Sequence, residues 1–297
     1  MTPRERNAAF KLVRKAKLAE LVKLHRAAAS DTQMLMARAL DEIKAELGRT
    51  TSEFQSWQLA RIRKSIEGHL AEISEALART ATTGAGEAWK LGVGIVDDPL
   101  EAGGIRIAGL LPEVDTRQLL AMRTFLTDKI KGVTANAAGA AADQIGLTMI
   151  GAQTPSQAID AIATTIDSGR GRAITVLRTE MGRAFSVAAQ ERKVDAATVL
   201  PGMRKQWRRS GKVQSRQAHD LADGQIVEVD KPFLVNGVEL MFPRDPSAPA
   251  SETVNCGCVS LPYMETWEVQ QRGRQAFTDD ELARSRSKRD LEGALTS

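Results

Sequence analysis

Phe233-Leu234-Val235-Asn236-Gly237-Val238-Glu239-Leu240 is the stretch that decides the fold class. Two short apolar runs flank an Asn-Gly pair, and Asn-Gly readily supplies the two positive φ angles of a two-residue type I′ turn. The stretch therefore predicts a β-hairpin. The rest of the chain reads differently. Of 297 residues, 43 are alanine, while four Trp, one Tyr and seven Phe are the only aromatic core fillers. That balance suits long packed helices better than a β-sandwich. The expected fold is α+β and predominantly α, with a long N-terminal helical portion followed by a compact α+β module that contains the hairpin.

Upstream of the hairpin the module extends to a helix start at Thr154-Pro155-Ser156-Gln157, which offers an N-cap, proline at the first helical position and Gln three residues after the cap. Ile159, Ile162 and Ile166 form its stripe, and Gly169 and Gly171 are expected to end it. A further helix over about 172–193 turns Ile174, Leu177, Met181, Ala184 and Ala188 inward. Met203, Lys205 and Trp207 alternate with their neighbours as in a strand, and 225–230 reads as a second one. Nearer the N-terminus, 5–28 and 32–47 predict helices separated at Asp31-Thr32. Ser52 is placed as the cap of a helix over 52–80, where Leu59, Ile66 and Ile73, with Leu70 and Leu77, repeat every seven residues. His69 beside that seam is read as a partly exposed packing residue. The glycine-rich stretch 84–112 is read as a joint, and Asp115 and Gln118 as a capping box opening the next helix. The expected organisation is a helical, partner-binding portion over 1–150, the α+β module over 151–265 and a charged, exposed C-terminal helix or tail over 266–297.

Composition excludes several classes. A hydrophobic content of 42% is too high for wholesale disorder. No run of about 18 apolar residues predicts a transmembrane helix. The charged start, Met1 to Phe10, leads into no apolar segment of the secretory kind. Two cysteines do not make a disulfide framework, and a cytoplasmic origin is the expectation. Charge is informative by location. Residues 1–30 hold eight basic and two acidic side chains. Residues 202–218 hold six basic ones (Arg204, Lys205, Arg208, Arg209, Lys212 and Arg216) and none acidic. Such islands suit nucleic-acid phosphates or an acidic protein partner, and they equally suit a solvated helix face.

Cys256-Gly257-Cys258 with His219 is the metal-like set, since zinc takes sulfur and nitrogen donors in a tetrahedron. A fourth ligand would have to be Asp220, Asp223 or a water. Two readings stay open: a structural zinc ion, or two buried cysteines with a histidine that hydrogen-bonds the loop. No other cofactor is expected. Catalytic motifs of the G-x-S-x-G, H-E-x-x-H, phosphate-loop and dinucleotide-binding kinds are absent from the sequence.

From Arg178 to Cys258 the chain resembles the phage Mu F-like head morphogenesis family, the minor head proteins of tailed phages. The pieces stand in the family's order: Leu177-Arg178-Thr179-Glu180 with Arg183-Ala184; Lys205-Gln206-Trp207; Ser215-Arg216 and His219; Asp223-Gly224-Gln225; Val229-Asp230-Lys231-Pro232-Phe233; Leu240-Met241-Phe242-Pro243 with Asp245-Pro246; and Asn255-Cys256-Gly257-Cys258. Two departures stand out. Arg208-Arg209-Ser210-Gly211-Lys212 lacks the family's Asp after the Trp, and Gly257 replaces the usual Arg between the cysteines.

The resemblance implies a structural role in virion assembly and no enzymatic activity. It implies a few copies per particle inside the head near the portal, reached through the host cytoplasm during assembly. The implied partners are the portal protein, the major capsid or scaffold protein and packaged DNA, with no membrane. The implied structural residues are Arg178, Glu180, Trp207, His219, Asp223, Gly224, Asn255, Cys256 and Cys258. Two other functions remain on the sequence: a metal-dependent hydrolase or nuclease using His219, Asp223 and the cysteine pair, and a free nucleic-acid-binding protein.

Overall fold

The computed structural model describes residues 1–48, 56–107, 109–264 and 273–296. Four long helices come first: α1 (Pro3–Gly48), α2 (Ser56–Ala102), α3 (Arg117–Met149) and α4 (Pro155–Val199). Short elements follow: β1 (Met203–Arg208), α5 (Gln217–Leu221), β2 (Ile226–Glu228), β3 (Phe233–Val235), β4 (Val238–Leu240), α6 (Ala250–Thr253), β5 (Val259–Met264), α7 (Asp279–Arg284) and α8 (Arg286–Thr296). No described helix is long and apolar enough to cross a membrane. The expected architecture, helical first and α+β afterwards, is the one observed.

The helices outrun the boundaries read from sequence. The separation expected at Asp31-Thr32 does not occur: the buried Thr32 hydroxyl donates to the Ala28 carbonyl at 2.8 Å, so it is satisfied inside α1. Residues 84–102, expected as part of a joint, continue α2. Here glycine serves close packing, since a Cβ on Gly92 would lie 2.4 Å from the Phe185 carbonyl oxygen. Gly169 and Gly171 likewise stand within α4. A helical glycine costs about 1 kcal/mol against alanine. Burying each of Ile162, Ile166 and Leu177 on the same stripe gains about 1.5–3 kcal/mol, which decides the balance. The start of α4 is as predicted: Thr154 N–H donates to Gln157 Oε1 at 2.8 Å, and Gln157 N–H donates to Thr154 Oγ1 at 3.3 Å. The cap placed at Ser52 lies outside the described residues.

The described residues form two compact units, each assembled from separate segments. One comprises Leu24–Gly84 and Leu120–Glu180 and is helical. The heptad seam of α2 is its core: Ile66, Leu70, Ile73 and Leu77 are buried, as are Leu126, Ile130 and Val133 of α3. Ser74 accepts a 2.8 Å hydrogen bond from the buried Thr134 hydroxyl, joining these helices. His69 is half-buried and lies 3.1 Å from Glu42, a packing and pairing residue as expected.

The other unit comprises Met1–Lys23, Ala85–Leu119 and Met181–Ser297 and holds all the strands. β1 is the centre of an antiparallel sheet, β2-β1-β5, with Trp207 opposite Ser260 and Lys205 opposite Pro262 and Val227. β3 and β4 form the predicted hairpin, with Phe233 opposite Leu240 and φ of 54° at Asn236 and 74° at Gly237. Trp207, Phe233, Val235, Leu240, Ala222, Cys256 and Cys258 make one buried cluster. The Trp207 ring meets Phe233 edge-on at 5.4 Å between centroids. β5 is a strand that the sequence reading did not separate from the Cys-x-Cys loop.

Trp207→Ala should therefore destabilise the chain by about 3–5 kcal/mol. Leu234→Ala, on the exposed face of the β3–β4 hairpin, should change stability by less than about 0.5 kcal/mol. Urea unfolding followed by circular dichroism measures both, and equal losses would refute the assignment of Trp207 as the anchor.

Candidate functional site

His219, Cys256 and Cys258 converge although 37 and 39 residues separate the histidine from the cysteines. α5 is one turn of helix and carries His219 under the Trp207 ring, whose centroid lies 5.6 Å from the imidazole's. The cysteines follow α6 and lead into β5. All three side chains are buried, and their ligating atoms lie within 4.8 Å of one another. Nδ1 of His219 lies 3.5 Å from Cys256 Sγ and 3.6 Å from Cys258 Sγ. The opposite ring nitrogen, Nε2, is 2.9 Å from Glu252 Oε2. Glu252 is itself fixed by Asn236, whose Nδ2 donates to Oε1 at 3.0 Å. The turn residue of the hairpin thus orients the site histidine through one carboxylate.

The electrostatics follow from burial and these contacts. Burial pulls His219 down, but hydrogen bonding and charge at Cys256, with the bond to Glu252, leave its pKa raised. Burial pushes Glu252 up, and the Asn236 and His219 hydrogen bonds more than reverse this. The two thiols split: Cys256 is held well below the ordinary thiol value, chiefly by a hydrogen bond from Cys258, and Cys258 is pushed well above it. Arg244 stands behind them with its side chain fully buried. It donates to the Cys256 carbonyl at 2.6 Å and to the Ser186 hydroxyl at 2.9 Å, and its positive charge favours thiolate at both sulfurs. A cavity of about 260 Å³ opens onto this group, with Lys212, Ser215 and Arg216 among its walls.

Asp223 is not part of this group. Its carboxylate accepts from the backbone N–H of Arg209 at 2.9 Å and of Gln275 at 2.6 Å and pairs with Arg208 at 3.3 Å. Gly224 beside it donates its N–H to the Trp207 carbonyl at 3.0 Å. Asn255 takes a left-handed φ of 55°, and its carbonyl accepts from Lys212 Nζ at 2.8 Å. Arg178 is exposed and Glu180 buried on α4, outside the His-Cys-Cys group.

The basic island of 202–218 is not one exposed face. Lys205, Arg208 and Arg209 are buried. Lys205 donates to the Met241 carbonyl at 2.7 Å, and burial holds its pKa down at about 8. Arg204 is half-buried and pairs with Glu228 across the β1–β2 register. Lys212 and Arg216 grip the carbonyls of Asn255 and Val254. Lys205 and Arg208 stand on β1, whose side chains apart from Arg204 are all buried. Where the resemblance would place an Asp, Arg208 and Arg209 pair with Asp223 and Glu281 instead. Gly257 also has a cause, since a Cβ there would lie 2.7 Å from Ser210 Cβ and 2.9 Å from Lys212 Cε.

Sequence reasoning missed two residues that hold the site, Glu252 and Arg244, and a third, Glu281, that anchors the C-terminal segment. Only Arg244 carries a local signal, standing inside the recognised Phe242-Pro243 to Asp245-Pro246 stretch. Glu281 corrects the view of the C-terminus as an exposed tail: it is buried, bonded to Arg209 and, at 2.5 Å, to Lys288. Thr278 caps α7 in a reciprocal box with Glu281.

Residues 144–261 match the family described as Phage Mu protein F like protein, the family that residues 178–258 resemble. It is 38% identical over 101 residues to an uncharacterized protein, YqbB, of Bacillus subtilis (strain 168), a match covering 33% of this chain and 32% of that protein. It is 32% identical over 94 residues to an NAD(+)–arginine ADP-ribosyltransferase of Enterococcus faecalis (strain ATCC 700802 / V583), covering 32% of this chain and 19% of that protein. The chain thus spans about a third of one relative and a fifth of the other. No solved structure matches.

Glu281 sets an acid dependence. Burial alone would raise its carboxyl, but bonds from Arg209, Lys288 and Thr278 bring it down to about 2 from an ordinary 4.5. A lowered carboxylate stabilises fully above its unfolded value and loses that contribution as pH falls through the folded one. Urea midpoints should therefore fall between pH 4.5 and about 2, and Glu281→Gln should be less stable at pH 7 with a flatter acid limb. An acid limb of unchanged slope in the variant would contradict this.

Proposed function

We propose that this chain is a minor head protein of a tailed phage, associated with the portal vertex and required for head morphogenesis. The observation that carries the reading is the family match over residues 144–261, the segment that contains β1, the hairpin and the His-Cys-Cys group. The family match supports a phage head-morphogenesis protein and a place in virion assembly, with the host cytoplasm as the site of assembly. The finer statements are ours: the location inside the head, a few copies per particle, and contact with portal, major capsid or scaffold protein and packaged DNA. The exposed bases Arg4, Lys11, Lys15, Lys23 and Arg26 of α1 suit a phosphate-rich or acidic surface.

The geometry gives little support to a hydrolase or nuclease. Asp223 is committed to Arg208, Arg209 and Gln275, and Glu252 sits behind the histidine. Among the described residues, no carboxylate lines the cavity to act as general base. ADP-ribosyl transfer is named for a relative of which this chain matches 19%, and the proposal does not include it.

The test is genetic and biochemical. In the phage or prophage that encodes the chain, disrupting its gene should lower infectious titre by orders of magnitude, and purified heads should contain the chain in low copy, co-purifying with portal rings. Infectious particles of normal composition assembled without it, or a chain missing from heads at every assembly stage, would overturn the proposal.

A further inference from the structure

We propose that His219, Cys256 and Cys258 bind a zinc ion, with the fourth coordination position facing the adjoining cavity and taken by water. The spacing is the first argument. With Zn–S near 2.3 Å and Zn–N near 2.05 Å, a tetrahedral site places sulfur about 3.6 Å from nitrogen. The observed separations from Nδ1 are 3.5 and 3.6 Å, and both lie between the same nitrogen and the two sulfurs. Each nitrogen–sulfur separation is therefore the one that a shared tetrahedral ion requires.

The surroundings are those of a ligand set. The three residues are only 2%, 6% and 2% exposed in the order His219, Cys256, Cys258. With Nε2–H donating to Glu252, the Nδ1 lone pair is free to face the sulfurs, and a carboxylate behind a histidine is the usual support of a metal-bound imidazole. Asn236 anchors that carboxylate in turn. The sulfurs bind as thiolates, their protons leaving to solvent, while the ring proton stays on Nε2. Among the described residues the cavity walls offer Ser210, Gln214, Ser215 and Asn255 and no further sulfur, imidazole or carboxylate, which leaves the fourth position to solvent. The inference is independent of the head-protein reading, because metal content is measured on the isolated chain whatever its place in a virion.

The test uses the full chain purified in the presence of zinc and then desalted. Mass spectrometric metal analysis should find one zinc per chain, and cobalt(II) in its place should give intense tetrahedral visible bands with thiolate charge transfer. Cys256→Ser and Cys258→Ser should each lose the metal, and with it the cobalt charge-transfer bands. Glu252→Gln should weaken affinity about 10–100-fold at unchanged stoichiometry. Ser210→Ala, on the cavity wall, should keep the metal. Should a cysteine variant fail to fold, the cobalt spectrum of the natural chain decides alone. A natural chain that retains no stoichiometric metal, a cobalt spectrum without thiolate bands, or full retention in folded Cys256→Ser overturns the proposal.

Discussion

Buried cations govern the unit built around β1. Lys193, Lys205, Arg208, Arg209, Arg244 and Lys288 all lie in its interior. A buried charge is tolerable only where hydrogen bonds or counter-charges replace water. Lys193 meets this with the carbonyl and hydroxyl of Ser260 at 3.1 and 2.6 Å, with its pKa held well below normal by burial. Arg209 and Lys288 share Glu281 and both lie against the Phe277 ring, at 4.5 and 5.1 Å. Arg192 closes a bidentate pair with Asp97, 95 residues away, at 2.7 Å for both bonds. These bonds tie α4 to α2 and β5 and the residue after β1 to α7, so satisfying the charges also fixes the chain path.

The His-Cys-Cys group depends on this framework. Trp207 on β1 sets the height of His219, Arg244 holds the carbonyl of Cys256, and Lys212 and Arg216 hold the two carbonyls before it. Little of the cluster's position is local. Short segments with almost no regular structure, 209–216 and 243–258, are held in place by cations that reach their backbones. A rigid polar arrangement on irregular loops is what a docking or metal-holding element needs, because neither helix propensity nor a strand ladder constrains it.

Much of the secondary structure was legible in the chain. The Thr154 cap, the α2 seam of Ile66, Leu70, Ile73 and Leu77, and the hairpin at Asn236-Gly237 are written in spacings of two to seven residues. Those spacings act through the backbone and through immediate neighbours. Helix length was less legible, because Gly92 and Gly169 read as breaks until packing partners are known. The likeness to the phage family was legible because seven short pieces keep their order, and the domain match lies over the same segment.

The sequence by itself determined the helix and hairpin elements, the family resemblance and which residue types could ligate a metal. The tertiary structure alone decided that Lys205, Arg208 and Arg209 of the basic island are interior, that the C-terminal segment packs onto the unit through Glu281 and Lys288, and that Glu252 and Arg244 support the histidine and the cysteines. The reason is range. Propensity, capping and turn chemistry are set within a few residues, whereas a buried charge can be satisfied by any complementary group in the chain, and the packed core selects which one reaches it.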